Sequence, residues 1–127
     1  MSEQTTPSAI TPEVLERAAT IVTQLGGVPF LRRYIGATFF KAVAPEYTEA
    51  EKHRGGVGIR YTSRGRNGNH IEVLVDYKDT YTLKFWRCSV LGAKLRQTVE
   101  GVYVEQLKET IYNTTGLSLN ALKIRSI

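Results

Sequence analysis

The chain has little of what would settle its chemistry at once. It has one cysteine, Cys88, so no internal disulfide can form, and a lone thiol suits a reducing compartment. Arg87 precedes that cysteine, but no histidine adjoins it in sequence, so a passive, partly buried thiol is expected. There are two histidines, His53 and His70, and no close-spaced ligand pair, so neither a metal nor any other cofactor is expected. No apolar run approaches the ~20 residues that span a bilayer, and no basic-then-apolar leader opens the sequence. A cytoplasmic protein without membrane contact is the expectation. Acid is missing from two stretches, Lys52 to His70 and Lys84 to Val99.

What is present describes an ordinary globular domain. Of 127 residues, 42% are hydrophobic and 23% charged, and mean hydropathy is −0.22. That excludes wholesale disorder and a disulfide miniprotein, and fits one domain rather than two. The net charge of +5 is unevenly distributed. Residues 1–51 hold four Lys/Arg against six Asp/Glu, whereas residues 52–127 hold thirteen against six. A field of this kind draws nucleic acid or another acidic surface. The plainer alternative is a solvated basic sheet face that keeps the protein soluble.

Periodicity gives the organisation. Met1 to Ile10 reads as a flexible tail, and 11–127 as a single α+β domain. Thr11-Pro12-Glu13 is a helix start, with an N-cap, a proline at the first helical position and an acid in the first turn. Val14, Ala18, Ile21, Val22 and Leu25 then form one apolar stripe, stopped by Gly26-Gly27. Pro29 to Ile35 reads as a second helix. From Thr38 the period becomes two: a short strand to Val43, a polar loop from Ala44 to Gly56, then alternation through Val57, Ile59 and Tyr61. Arg64 to Asn69 is a turn, its Asn67-Gly68 pair tolerating positive φ. Ile71, Val73, Val75 and then Tyr81, Leu83, Phe85 alternate again. A last strand near Lys94 to Glu100 would turn Leu95 and Val99 inward. A helix from about Val102 to Thr115 carries Val104, Leu107 and Ile111 on one side. Leu117, Leu119 and Leu122 are expected to cover a sheet edge. The fold class is therefore α+β: N-terminal helices and a C-terminal helix packed on one face of an antiparallel sheet of about four strands. The opposite face would present Arg60, Thr62, Glu72, Asp76, Lys84 and Trp86, joined by Lys94 and Arg96.

A family pattern lies across these elements. Gln24-Leu25-Gly26-Gly27, Gly36-Ala37 with Phe40, Asn69-His70-Ile71, Asp79-Thr80-Tyr81, Gly101-Val102-Tyr103 with Leu107, and Thr114-Thr115-Gly116-Leu117 follow in order. The set resembles a family of small phage and prophage proteins of no assigned activity, over roughly Ile21 to Leu122. The chain departs from it between Ala44 and Gly55 and at Val90 to Ala93. The resemblance implies a mobile-element origin and a bacterial-host cytoplasm.

Catalytic constellations are sparse. Glu72, Asp76 and Asp79 could serve as an acid–base or Mg²⁺ set, but Arg60 and Lys84 on neighbouring strands make cross-strand ion pairs the simpler expectation. Gly55-Gly56-Val57-Gly58 lacks the Lys-Ser/Thr of a P-loop and reads as a flexible strand entry. Asn113-Thr114-Thr115 matches a glycosylation sequon by chance. A basic-aromatic group remains: Arg54, Arg60, Arg64, Arg66, Lys84, Trp86, Lys94 and Arg96. Arg64 and Arg66 would approach phosphate from a glycine-flanked hairpin tip. Trp86 beside Lys84 would stack a base, unless it packs beneath the Ser89–Ala93 segment. A non-enzymatic accessory protein binding nucleic acid is thus expected. The alternative is an inhibitor that places the same basic surface on an acidic host protein, of defence (such as CRISPR) or transcription. A homodimer is compatible with either.

Overall fold

The computed structural model describes residues 11–45 and 52–119. Helix α1 spans Pro12–Gln24, and the Thr11 hydroxyl accepts the Val14 N–H at 3.2 Å, as the N-cap reading requires. Its buried residues Val14, Ala18, Ile21 and Val22 are the expected stripe. Gly26 and Gly27 both take positive φ (120° and 93°), turning the chain into α2, Val28–Tyr34. Five strands follow: β1 Ala37–Val43, β2 His53–Tyr61, β3 His70–Asp76, β4 Tyr81–Ser89 and β5 Gly92–Val102. They pair in sequence order as an antiparallel meander, five strands rather than about four. A 3₁₀ turn, Val104–Gln106, leads into α3, Leu107–Thr115. Both ends of the chain, including Leu122 and the tail to Ile10, lie outside the described residues.

Strand alternation sorts the sheet into two faces. Val57, Ile59, Ile71, Val73, Leu83 and Phe85 are at most 2% exposed and form one core with α1, α2 and α3. Leu25, Leu107 and Ile111 are each 1% exposed in that core, as expected, and Val75 packs at its margin. Leu119 closes it.

Three expectations fail, each for a local reason. The polar loop assigned to Ala44–Gly56 is partly strand, because Gly55 and Gly56 let backbones approach. A Cβ at Gly56 would strike the β3 backbone at Val73 and Leu74, so these glycines serve close contact rather than flexibility. Leu95 is 43% exposed, because a bulge between the Phe85–Gln97 and Trp86–Leu95 pairs moves it to the other face. Val104 is 45% exposed, because the chain runs as strand to Val102 and begins its α-helix only at Leu107.

The terminal helix can be tested by a pair of truncations. Leu107→Ala should cost roughly 2–5 kcal/mol in urea unfolding, as for other buried leucines. Val104→Ala should stay within about 0.5 kcal/mol of wild type, since its side chain reaches solvent.

Candidate nucleic-acid interface

Register places the polar face in rows. Phe39, Arg60, His70, Trp86 and Leu95 lie across the five strands, and Lys41, Gly58, Glu72, Lys84 and Thr98 form the next row. Arg60, Lys84 and Trp86 therefore share one open face, as expected. The Trp86 indole N–H donates to Glu72 Oε1 at 3.2 Å, which fixes the half-buried ring beside His70 and Leu95. The Ser89–Ala93 segment does not cover it. Ser89 pairs with Gly92 as a tight hairpin end, and Val90 and Leu91 are fully exposed (102% and 94%).

His70 is an unforeseen member of this row. Its Nδ1 accepts the Arg60 Nε–H at 3.4 Å, and its ring lies over Gly58, where a Cβ would sit 2.9 Å from Nε2. Burial, reinforced by Arg60 and Lys41, pushes the imidazole down from 6.5 to about 4. It is therefore a neutral acceptor at pH 7 that aims Arg60, and adds no charge of its own.

The hairpin loop differs from the expected open phosphate clamp. The last carbonyls of α3 have no intrahelical partner, and its last turn carries no basic residue. The loop supplies what is missing. The Arg66 backbone N–H donates to Thr115 O at 2.8 Å, Asn67 Nδ2 to Thr114 O at 2.9 Å, and Arg66 Nη2 to Asn113 O at 3.4 Å. Gly65 allows the approach, because a Cβ there would lie 2.7 Å from Thr115 O. Arg66 is a helix-end cation, and Gly65 serves packing. Asn67 and Gly68 do take the expected positive φ, 63° and 111°.

Two further placements change the grouping. Arg54 lies at the far end of β2 from Arg60, where its guanidinium meets Asp79 Oδ1 at 2.9 Å and covers the Tyr77 ring at 5.7 Å. It is held away from the other cations of the expected group. Lys94 pairs with Arg87, which follows Trp86 in β4 and therefore faces the helix side. Lys94 is thus behind the open face, and Arg96 is the extra residue of the β5 bulge, exposed at the sheet edge.

Lys41 and Arg87 are the cations that sequence reasoning left out. The signal for Arg87 was its parity: a charge in the phase of Leu83 and Phe85 means that the core has ended. Arg87 and Arg64 line a cavity of about 550 Å³ under the loop, with Tyr61, Thr62, Ser63 and Asn69. At the other end of the sheet, Asp76 is met by His53 Nε2 at 3.3 Å and by the Thr80 and Thr82 hydroxyls at 3.1 and 3.0 Å. That cluster, and not an Arg60 or Lys84 ion pair, satisfies Asp76. Among the described residues no group of three or more His, Cys, Asp or Glu forms a metal site, and no helix is long and apolar enough to cross a membrane.

The segments that build the hairpin end of the sheet are 36–41, 60–70, 84–98 and 113–119. Together they carry eight Lys/Arg and no Asp/Glu, and Glu72 of β3 lies opposite Lys84 as the one carboxylate in these rows. No protein-family model, curated protein or solved structure matches the chain.

The pKa of His70 sets a pH dependence. The folded value lies below the unfolded one, so between about pH 6.5 and 4 the unfolded chain binds the extra proton. Stability from this residue is complete above that window and is lost as pH falls through it. His70→Gln should unfold with a shallower loss of stability from pH 7 to pH 4 than wild type, measured by urea midpoints at each pH.

Proposed function

We propose that the protein is a non-enzymatic nucleic-acid-binding domain that lays a strand across the open sheet face at its hairpin end. The observation that carries this reading is the accumulation of eight cations at that end, against a single carboxylate, Glu72, in the rows of the face around Lys84 and Trp86. Like charges gathered in such excess over counter-charges repel one another, and a polyanion removes that penalty while releasing its own counterions. The arrangement on the face supports it further. Arg60 is aimed by a neutral imidazole, Lys84 sits one row away, and Trp86 is fixed between His70 and Leu95. Sheets that carry an aromatic ring among cations hold single strands by stacking a base while neutralising the backbone. The phage and prophage resemblance makes an accessory role in a bacterial cytoplasm the setting for this activity.

A second reading, capture of an acidic host protein, is favoured by one feature. Val90 and Leu91 stand fully exposed at the β4–β5 turn beside Lys94, an apolar tip with a basic flank that suits a protein interface.

Fluorescence polarisation on single-stranded oligonucleotides separates the two. Trp86→Ala should weaken binding by about 1–3 kcal/mol, the usual worth of a stacked base. Arg60→Ala and Lys84→Ala should each flatten the salt dependence by about 0.7 of a log unit per lost phosphate contact. Arg54→Ala should leave affinity unchanged, because that side chain is committed at the opposite end. Absence of any binding to single- or double-stranded DNA or RNA at low salt would overturn the reading, and the apolar tip would then be the surface to test against host proteins.

A further inference from the structure

The cavity under the β2–β3 loop lies behind the proposed strand-binding face. Two guanidiniums, Arg64 and Arg87, line it, and no carboxylate does. Among the described residues neither guanidinium has a hydrogen-bond or ion-pair partner in the protein. Arg87 also lies opposite Lys94 on β5, so a third positive charge stands on the neighbouring strand.

The side chains of Tyr61, Thr62 and Asn69 in the lining are already satisfied. The Tyr61 hydroxyl donates to Gly68 O at 3.2 Å, and the Asn69 amide exchanges two hydrogen bonds with the Cys88 backbone, at 3.1 and 2.8 Å. The Thr62 hydroxyl donates to Gly36 O at 3.2 Å. Burial pushes the Tyr61 phenol up to about 12, with Arg87 acting against it, so the floor is neutral at pH 7. The cavity therefore presents two unspent forks and an uncompensated charge of two, or three with Lys94.

We propose that this cavity binds a terminal phosphomonoester, as carried by the 5′ end of a nucleic-acid strand or by a nucleoside monophosphate, with Arg64 and Arg87 as its two forks. Charge selects the monoester. It carries about −1.5 to −2 at pH 7, whereas a bridging phosphodiester or a peptide carboxylate offers a single charge. Guanidinium geometry suits phosphate, since each fork meets two oxygens at once, and the charge then favours it over a carboxylate. Size admits a nucleotide, because about 550 Å³ falls within the roughly 300–1,000 Å³ of small-molecule sites.

Placement selects the end of a strand. Trp86 and Arg87 are consecutive in β4 and point to opposite faces, so the cavity begins one residue from the stacking platform. A strand on the open face reaches it by turning over the end of the sheet. A chain terminus makes that turn easily, and a continuing chain must reverse. The strand-end assignment rests on the nucleic-acid reading above; the phosphate pocket itself does not.

The test uses the full chain and two 3′-labelled decathymidylates, one with a 5′-phosphate and one with a 5′-hydroxyl. Adenosine monophosphate, adenosine and inorganic phosphate are titrated separately by calorimetry. The phosphorylated strand should bind about tenfold tighter or more, the worth of hydrogen bonds to a charged group. Arg64→Ala or Arg87→Ala should abolish that advantage while retaining the wild-type melting temperature, and Arg87→Lys should restore only a fraction of it. Trp86→Ala should weaken both strands and leave their ratio intact. Binding of adenosine monophosphate through Arg87, with neither strand bound, would uphold the pocket and remove the nucleic-acid reading. Equal affinity for both strands, or an advantage that survives Arg64→Ala and Arg87→Ala, would overturn the proposal. Inorganic phosphate binding as tightly as adenosine monophosphate would overturn the nucleotide assignment.

Discussion

The contact between the β2–β3 loop and the last turn of α3 organises the hairpin end of this molecule. A helix ends with carbonyls that need donors, and the chain offers α3 no basic residue of its own in that turn. Three donors come from residues 66 and 67, nearly fifty positions earlier in sequence. One consequence is mechanical, since α3 is tied to the sheet at the end opposite its Leu107 anchor. Another is electrostatic. Arg66 is spent on the negative end of the helix, and the loop is held where Arg64 lines the same cavity as Arg87. The contact that stabilises the fold thus also decides which arginines remain available to a ligand.

Alternation made much of this legible in advance. The α1 stripe, the positive φ at Asn67-Gly68 and the shared face of Arg60, Lys84 and Trp86 all follow from residue type and period. The parts that escaped depend on contacts between distant segments. Nothing local in Arg64-Gly65-Arg66 tells the free arginine from the one on the helix end. Gly65 reads as a turn residue until Thr115 O appears beside it. Arg54 belongs by sequence to the same acid-free stretch as Arg60, yet β2 separates them along its length and delivers Arg54 to Asp79. A charge census along the chain could not divide the two ends of one strand.

The β5 bulge shows how one residue redistributes chemistry. Strict period two would have put Leu95 with Val99 in the core and left Lys94 on the open face. The extra residue at Arg96 reverses both, sending Leu95 to stand beside Trp86 and Lys94 to stand beside Arg87. An aliphatic neighbour extends the apolar surface around the indole. The displaced lysine strengthens the field behind the sheet.

His70 links these faces in the opposite sense, by withholding charge. A protonated imidazole between Arg60 and Lys41 would add repulsion to a surface already crowded with cations. Burial over Gly58 keeps it neutral, and neutrality turns its Nδ1 into an acceptor for Arg60. The guanidinium is therefore oriented by a partner that does not neutralise it. A carboxylate in the same place would hold the arginine equally well and cancel its attraction for phosphate. The choice of imidazole at this position, with glycine beneath it to admit the ring, keeps a positive charge both fixed and available. That combination is what the proposed binding of a polyanion would draw on.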